Sequence, residues 1–255
     1  MRVVRVLHEK KAHWGIVEAE NICLLKEPPF KAVLRSRKYI PIAKACLLAP
    51  SLPSKIVLVG LNYRDHAREL GMKVPKEPVI FLKPTTALLA PVADIVLPLQ
   101  VRRLDYEAEL AVVIKRRAKN VPENRARDYI LGYTCCNDVT ARDLQKKDGQ
   151  WTRAKSFDTF CPVGPWIETN LNPADLTVCS YLNNKLRQKS STRNLIFSVP
   201  KLVSFISRVM TLLPGDIIST GTPPGVGRMK PNDCIDVAIE GIGHLRNCVV
   251  KEAVV

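Results

Sequence analysis

The apolar residues of this 255-residue chain are divided into many short runs, and this feature limits the possible folds most. Runs such as Lys55 to Gly60, Tyr106 to Ile114 and Ile130 to Asp138 are short and rich in β-branched residues, which is typical of strands. Helical periodicity is confined to Asn62 to Leu70, Glu123 to Tyr129, Val139 to Lys146 and Pro200 to Met210. Because strands and helices do not alternate regularly, the sequence predicts a strand-dominated α+β fold.

The first fifty residues predict a separate unit. Short strands are expected at Arg2 to Leu7, Trp14 to Ala19 and Asn21 to Leu25. The stretch Pro50 to Pro53 has the composition of a linker. We therefore expect a small β-rich N-terminal domain over residues 1–53 and a larger domain over residues 54–255.

Composition favours an ordinary globular protein over a disordered or membrane-embedded one. Apolar residues make up 46% of the chain and charged residues 25%, which is close to the average of globular domains. No stretch approaches the ~20 consecutive apolar residues of a membrane-spanning helix. The segment Met1 to Arg5 lacks the pattern of a secretion signal, so we expect a cytoplasmic protein without a membrane partner.

A formal net charge of +15 raises the question of a nucleic-acid partner. The densest basic clusters, Lys115 to Lys119 and Arg187 to Arg193, are short and lack interleaved aromatic residues. The charge is otherwise spread along the chain, which favours a solvated basic surface over a nucleic-acid site. Such a surface could also attract an anionic small substrate.

The eight cysteines show no Cys-x-x-Cys pair and no zinc-ribbon spacing. We expect most of them to be buried thiols. Cys135 and Cys136 are adjacent on a predicted strand, so their side chains should point to opposite faces and should not share a metal ion.

Acidic residues recur at every second position just before an apolar strand, in Asp105-Tyr-Glu107-Ala-Glu109. With the two-residue period of a strand, their side chains project from one face. Like charges on one face repel, so this pattern requires either full solvation or a bound cation. The segment by itself leaves both a solvated strand edge and a cation site open.

Another acidic residue, Asp138, ends an apolar strand and precedes a helical segment. This position is typical of a helix N-cap, although the same carboxylate could also be a metal ligand. A site with oxygen ligands alone favours Mg²⁺ over zinc, with Mn²⁺ or Ca²⁺ as alternatives.

Several motifs together resemble the bacterial branch of the fumarylacetoacetate hydrolase family. They occur in the order Val59-Gly-Leu-Asn-Tyr-Arg-Asp-His66-Ala-Arg-Glu69, Phe81-Leu-Lys-Pro84, Asp105-Tyr-Glu107-Ala-Glu109-Leu-Ala, Asn137-Asp138-Val-Thr-Ala-Arg142-Asp, Trp151-Thr-Arg-Ala-Lys155-Ser-Phe-Asp and Thr220-Gly-Thr222-Pro-Pro-Gly-Val-Gly227. The resemblance covers roughly residues 54–250. The order and spacing of the whole set are specific, whereas each motif alone is not.

The resemblance implies a mixed β-roll and a homodimer, with a divalent metal held by Glu107, Glu109 and Asp138. Asp105 shares the strand face but is not a ligand in the family pattern. The implied substrates are small 2-oxo or β-diketo acids such as acylpyruvates or oxaloacetate. Their C–C hydrolysis, decarboxylation or tautomerisation each passes through an enol or enolate that a metal ion stabilises as a Lewis acid.

Further roles follow from the same resemblance. Lys155 would add positive charge beside the enolate, although a lysine without this context is more often on the surface. His66 and Glu69 look like an acid–base dyad, since residues three apart on a helix share a face. The alternative for a single histidine on a short helix is a surface or capping residue.

Substrate binding is expected from Arg142, Gln145 and Thr222. A guanidinium offers a forked pair of donors to a carboxylate, but Arg142 could instead pair with a nearby acid of the protein. The loop Gly221 to Gly227 could present backbone N–H groups to an anion, although such loops are also plain turns.

Two further interpretations remain. The first is an isomerase or decarboxylase of longer dienoic diacids of the 2-hydroxyhepta-2,4-diene-1,7-dioate type, as in aromatic catabolism. The second belongs to another class, a basic nucleic-acid-binding or scaffold protein without catalysis. The combination of dyad, acidic ligands and lysine argues against a scaffold, which has no chemical need for all three.

Overall fold

The computed structural model describes residues 1–253, and strands dominate it. The first part contains strands β1 Arg2–His8, β2 Lys11–Glu18, β3 Asn21–Leu25, β4 Arg35–Pro41, β5 Cys46–Leu48 and β6 Ile56–Gly60, helix α1 Arg64–Glu69, and strands β7 Val79–Lys83, β8 Leu88–Leu89, β9 Ile95–Leu97, β10 Leu104–Tyr106, β11 Ala108–Ile114 and β12 Ile130–Asn137. The second part contains β13 Thr140–Ala141, α2 Arg142–Asp148, α3 Thr152–Lys155, β14 Cys161–Glu168, β15 Thr177–Leu182, β16 Lys185–Ser191, α4 Val199–Val209, β17 Ile217–Ser219, β18 Gly227–Met229, β19 Cys234–Ile239 and β20 Gly243–Lys251. Short 3-10 helices cover Ile42–Lys44, Thr85–Ala87, Glu123–Tyr129 and Thr192–Asn194.

The strand-dominated α+β class is confirmed. A twelve-stranded sheet has the order β4-β3-β2-β1-β14-β12-β11-β17-β6-β7, with β5 paired to β1 and β8 to β14. Two smaller sheets have the orders β13-β10-β18 and β16-β15-β19-β20-β9. Most pairs are antiparallel, but β17 runs parallel to β6, so the large sheet is mixed.

The predicted helices are only partly correct. Helix α1 and helix α4 lie where the periodicity placed them, whereas Glu123–Tyr129 is a 3-10 helix. The helix expected over Val139 to Lys146 is wrong at its start, because Thr140–Ala141 pairs as a strand with β10 and the helix begins at Arg142. Cross-strand pairing therefore outweighs the local helical pattern at this point.

The main core lies between the large sheet and the elements that cover it. Leu110 and Val112 of β11 pack with Val203 and Ile206 of α4 and with Val237 of β19. These side chains are no more than 1% exposed, so the apolar alternation along β11 is satisfied on this face. The alternate residues of β11, Glu109 and Ala111, point to the other face.

The N-terminal strands are continuous with the rest of the large sheet, because β1 pairs with β14 at Arg2↔Glu168 and Val3↔Ile167. The amino group of Met1 adds an ion pair of 2.8 Å to Glu168. A division into domains at residue 53 stays a prediction.

Most cysteines are buried thiols, as expected: Cys23, Cys135, Cys136, Cys161 and Cys179. Cys135 packs in the main core and Cys136 in a different cluster, which confirms their opposite directions on β12. The exceptions are exposed Cys46 and the pair Cys234 and Cys248, which form a disulfide between β19 and β20.

None of the helices in residues 1–253 combines the length and the apolar character that crossing a bilayer requires.

Asp216 joins the segment before β6 to the segment before β17. Its fully buried carboxylate accepts hydrogen bonds from the backbone N–H groups of Ser54 at 2.8 Å, Lys55 at 3.1 Å and Leu213 at 2.7 Å. The Lys55 ammonium lies 2.5 Å from its second oxygen. One side chain thus fixes the parallel pairing of β6 with β17, on which the site depends.

We expect Asp216→Ala to lower the free energy of unfolding by about 3–5 kcal/mol, because it leaves a partly buried ammonium and three N–H groups without their acceptor. Urea denaturation measures this change. The matched control is Asp128→Ala, which removes an exposed ion pair with Arg125 and should leave the midpoint nearly unchanged. Equal effects of the two substitutions would contradict this role of Asp216.

Candidate active site

Two neighbouring chain segments pass from one sheet to another at the same place. Strand β10 belongs to a small sheet and β11 to the large one, and Glu107 lies between them. In the same way Asp138 lies between β12 and β13. The N–H of Asp138 donates to the Glu107 carbonyl at 2.9 Å, and the N–H of Glu107 donates to Asn137 Oδ1 at 3.0 Å. Because both segments pass from one sheet to another at this point, the carboxylates of Glu107 and Asp138 come together.

Glu109 reaches the same place from β11. Its Oε2 accepts hydrogen bonds from the Ser219 hydroxyl at 2.5 Å and from the backbone N–H of Gly221 at 2.9 Å. Both donors lie at or just after the end of β17, next to β11 in the large sheet. The Glu109 side chain is therefore held in one orientation.

The three predicted metal ligands converge. Oxygen atoms of Glu107, Glu109 and Asp138 all lie within 4.8 Å of one another. Ligand oxygens at ~2.0–2.6 Å from a divalent ion lie up to about 5 Å apart, so the spacing fits one oxygen-bound cation. Asp138 Oδ1 is buried and lies 2.7 Å from the Lys83 ammonium, so a cation bound at this oxygen would share it with Lys83.

The acidic segment is buried. Asp105, Glu107 and Glu109 are 0%, 7% and 2% exposed, so the solvated strand edge considered from the sequence is wrong. The other interpretation of Asp138, a helix N-cap, is also wrong, because Ala141 occupies the N-cap of α2. After Asp138 the chain enters the small sheet as β13, so helix α2 begins only at Arg142.

Burial and charge act differently on the two glutamates. Burial raises the pKa of Glu109, and the nearby carboxylates of Asp138 and Glu107 raise it further, well above its usual range. Burial also opposes ionisation of Glu107, but Lys155 and Arg142 outweigh this and lower its pKa to about 2. The carboxylate farthest from the protein's own cations therefore has the greatest electrostatic need for a bound metal ion.

Lys155 is 2% exposed, so the surface alternative for it is wrong. Its Nζ lies 3.0 Å from Glu107 Oε2 and 2.6 Å from Asp138 Oδ2. Burial lowers the pKa of Lys155, but the carboxylates of Asp138 and Glu107 outweigh this effect and raise it. The side chain is thus a fixed positive charge beside the candidate metal ligands.

Arg142 makes the structural pairs that were considered as its alternative role. Its Nε donates to Asp105 at 2.9 Å, and one terminal nitrogen lies 2.5 Å from Glu107 Oε1. The other terminal nitrogen donates to Gln145 Oε1 at 2.6 Å, one turn along α2. Arg142 and Gln145 also line the cavity over the carboxylates, so their predicted substrate contacts stay predictions.

His66 and Glu69 form the predicted pair on α1. The imidazole Nδ1 lies 2.8 Å from Glu69 Oε2, and the other oxygen of Glu69 accepts a hydrogen bond from the Gly225 N–H at 3.0 Å. A carboxylate accepts hydrogen bonds, so Nδ1 carries the proton and Nε2 has the free lone pair. His66 is 8% exposed, so the surface alternative is wrong.

The loop after β17 forms hydrogen bonds with side chains of the protein itself. Besides the N–H groups of Gly221 and Gly225, it contributes Thr222, whose hydroxyl donates to the Ala108 carbonyl at 3.0 Å. The amide of Gln188 donates to Thr222 Oγ1 at 2.8 Å. Thr222 lines the cavity, but its substrate contact stays a prediction.

The sequence interpretation missed Lys83. This side chain is 1% exposed, and its Nζ lies 2.7 Å from Asp138 Oδ1 and donates to the carbonyls of Val139 at 2.9 Å and of Phe160. It holds the end of β7 against the point where β12 meets β13. Its motif position was visible in the sequence, but nothing local indicated a buried ammonium.

A cavity of about 310 Å³ covers the carboxylates. All three lie in its lining, and so do Lys155, Arg142, Gln145, His66 and Thr222. Glu69 is outside the lining and is linked to the cavity through its contact with His66. Phe81 and Trp151 form an apolar part of the lining that the sequence interpretation did not assign to the site. The site therefore combines candidate acidic ligands, fixed cations and a histidine in one cavity.

The chain is similar to several known proteins. The family profile described as "Fumarylacetoacetate (FAA) hydrolase C-terminal" matches residues 55–250, and one described as "Rv2993c-like, N-terminal" matches residues 1–50. The chain is 40% identical over 233 residues to oxaloacetate tautomerase FAHD2B, mitochondrial, of Bos taurus, covering 86% of this chain and 74% of the relative.

Two solved structures are similar over nearly the whole chain. The 2-hydroxyhepta-2,4-diene-1,7-dioate isomerase of Mycobacterium marinum superposes with a TM-score of 0.94 at 45% identity and covers 100% of both chains. Maleylpyruvate hydrolase of Sphingobium sp. SYK-6, in complex with manganese (II) ion and pyruvate, gives a TM-score of 0.83 at 31% identity, covering 99% of this chain and 100% of the other.

We expect Glu109→Gln to weaken Mn²⁺ binding by more than ~100-fold. Loss of a residue that only hydrogen-bonds to a metal ligand costs ~10- to 100-fold, and loss of a ligand itself should cost more. The uncharged amide also removes repulsion from Asp138 and Glu107, so the metal-free variant should unfold at a higher temperature than the wild type. Titration calorimetry and thermal unfolding measure the two effects.

The control for this substitution is Asp236→Asn, which neutralises a buried acid paired with Arg246 on β19 and β20. It should leave Mn²⁺ affinity unchanged. Wild-type affinity in Glu109→Gln would show that Glu109 is not a ligand.

Proposed function

Because the chain belongs to the fumarylacetoacetate hydrolase family, we propose that it is a divalent-metal-dependent enzyme acting on small 2-oxo or β-diketo acids. The reaction is C–C hydrolysis, decarboxylation or keto–enol tautomerisation, with acylpyruvates or oxaloacetate as substrates. The observation that carries this proposal is that Glu107, Glu109 and Asp138 converge in the same cavity as Lys155 and His66.

The donor set supports the choice of metal. Within residues 1–253 the converging ligand atoms are three carboxylates, with no thiol or imidazole among them, which favours Mg²⁺ or Mn²⁺, with Ca²⁺ as an alternative. Glu107, Glu109 and Asp138 would hold such an ion, which would act as a Lewis acid toward the oxo group of the substrate. The similar hydrolase bound to manganese and pyruvate supports this assignment. We propose Mg²⁺ as the ion that the protein normally binds.

The protein's cations stabilise the charge that develops on the substrate. Lys155 has a fixed position beside Glu107 and Asp138, so a 2-oxo acid bound over these ligands lies within reach of its ammonium. A preorganised positive charge in a buried site lowers the energy of a developing oxyanion. Arg142 and Gln145 bind the substrate carboxylate, and the Thr222 hydroxyl binds a further oxygen after it turns away from the Ala108 carbonyl.

His66 moves the proton. Its Nδ1 is occupied by Glu69, so Nε2 accepts a proton from water or from the carbon next to the oxo group and returns it in the second half of the reaction. Glu69 stabilises the charged imidazole and fixes the plane of the ring. The bond from the Gly225 N–H holds Glu69 in turn, which links the acid–base pair to the loop beside Glu109.

A second candidate function is isomerisation or decarboxylation of dienoic diacids of the 2-hydroxyhepta-2,4-diene-1,7-dioate type. The isomerase of M. marinum is similar over the full length of the chain, which favours this candidate. The same carboxylates, lysine and histidine would serve it, because proton transfer next to a 2-oxo carboxylate is common to both functions. The two candidates differ in the length of the substrate.

The proposal excludes a nucleic-acid or scaffold role. Some cations of the basic clusters are already paired, such as Arg116 with Asp128 and Arg193 with Asp175. The proposal also includes a cytoplasmic location and a homodimer. Exposed Leu82 and half-buried Ile80 share one face of the edge strand β7 and offer an apolar surface that a second copy would cover, which supports the dimer.

Metal dependence and substrate class are tested together. Purified protein is assayed on oxaloacetate, acetylpyruvate and 2-hydroxyhepta-2,4-diene-1,7-dioate, before and after treatment with EDTA and after addition of Mg²⁺ or Mn²⁺. We expect turnover of oxaloacetate or acetylpyruvate that chelation abolishes and metal restores. Turnover of the seven-carbon diacid alone would favour the second candidate, and activity that survives chelation would contradict the metal site.

The acid–base role predicts that His66→Ala lowers kcat by about 100- to 10,000-fold, which is the usual contribution of a positioned general base. Mn²⁺ affinity should be unchanged, because His66 is not among the converging ligands. Steady-state kinetics and titration calorimetry give both values. His244→Ala, which removes an exposed histidine from β20, is the control, and a wild-type kcat in His66→Ala would exclude the role.

A further inference from the structure

Two aromatic side chains in the cavity have no part in the proposed chemistry. Phe81 of β7 and Trp151, the residue before α3, both line it. Their rings meet edge to face, with centroids 5.1 Å apart and planes at 80°. We refer to this pair as the aromatic wall. It gives the cavity an apolar side, in contrast to the charged residues around the carboxylates.

The position of Trp151 depends on Gly60 at the end of β6. A Cβ atom at residue 60 would lie 2.7 Å from Cζ3 and 2.8 Å from Cη2 of the indole, closer than such atoms approach in proteins. The six-membered ring therefore rests directly on the glycine backbone. Contact with Phe81 on the neighbouring strand fixes it from a second side, so the indole is a rigid surface.

The aromatic wall begins where the charged part of the cavity ends. The Lys155 ammonium lies 5.2 Å from the centroid of the Phe81 ring, and the backbone N–H of Lys155 donates to the Trp151 carbonyl at 3.0 Å. Lys155, which borders the carboxylates, is the last residue of α3, and Trp151, which forms the wall, is its N-cap. The wall is therefore the apolar surface next to the ammonium that would contact the oxo acid group of a substrate.

We propose that Trp151 is the residue that determines how long a carbon chain the enzyme accepts beyond the 2-oxo carboxylate. This inference rests on the proposed function and deepens it. A flat indole makes favourable contact with an unbranched or conjugated chain of medium length, and its fixed position blocks a longer one. Gly60 and Phe81 act through Trp151, since they hold the ring in place.

Binding measurements test the proposal without depending on turnover. Titration calorimetry of the Mn²⁺-loaded protein gives the Kd of pyruvate, 2-oxopentanoate and 2-oxooctanoate. In Trp151→Ala the medium chain loses its contact and the longer chain gains space. We expect the ratio of the 2-oxooctanoate Kd to the 2-oxopentanoate Kd to fall by at least about 10-fold, the usual effect of a few methylene groups in a pocket. Pyruvate, which is too short to reach the wall, should bind as in the wild type.

The matched control is Trp14→Ala. Trp14 stacks edge to face on Phe30 at 5.5 Å in the N-terminal part of the large sheet, outside the cavity lining, so the substitution removes a similar aromatic contact without touching the wall. It should leave the Kd ratio unchanged. An unchanged ratio in Trp151→Ala, or an equal change in the control, would overturn the proposal.

A second variant and the turnover assay separate failure of this proposal from misfolding and from failure of the proposed function. Trp151→Phe retains an aromatic ring, so it should fold even if Trp151→Ala does not, and its Kd ratio should shift in the same direction by a smaller factor. No shift in it would also overturn the proposal. If the wild type turns over neither oxaloacetate nor acetylpyruvate, the proposed function falls while the Kd ratio still decides the role of Trp151. If it binds none of the three simple 2-oxo acids, both fall.

Discussion

The burial of three like-charged carboxylates in one small space is the constraint on which the rest of the site depends. Glu107, Glu109 and Asp138 are each 7% exposed or less, so water does not screen their repulsion. The protein supplies ammonium groups from Lys155 and Lys83, yet the pKa of Glu109 stays well above its usual range. A divalent cation bound between the three carboxylates would offset their repulsion, and the spacing of the ligand atoms fits such an ion.

The exchange of strands between sheets explains how the carboxylates are held. A continuous strand would place Asp105, Glu107 and Glu109 in one row, but the chain leaves the small sheet at Glu107 and enters the large sheet at residue 108. Its neighbour makes the same exchange at Asp138, and hydrogen bonds join the two crossing points. The loop after β17 completes the site by binding Glu109 on one side and Glu69 on the other.

Much of this was accessible from the sequence, and the parts that were not have a common cause. The strand-dominated class followed from the short apolar runs, and the pairing of His66 with Glu69 followed from helical spacing, because both patterns are local. The start of helix α2 was wrong because Thr140 pairs with a strand far away in the chain. Lys83 and Trp151 were unassigned because their partners are close only in the folded protein.

The sequence by itself determined the types of residue available for chemistry and their spacing along each element. Acidic residues two apart, an imidazole three residues from a carboxylate and a block that ends in Lys155 are fixed by the covalent chain. The tertiary structure decided which of these groups meet, which are buried and which partners neutralise them. The reason is physical: a charge pair or a ring contact depends on distances of a few ångströms between residues far apart in sequence, and only the packing of the sheets sets those distances.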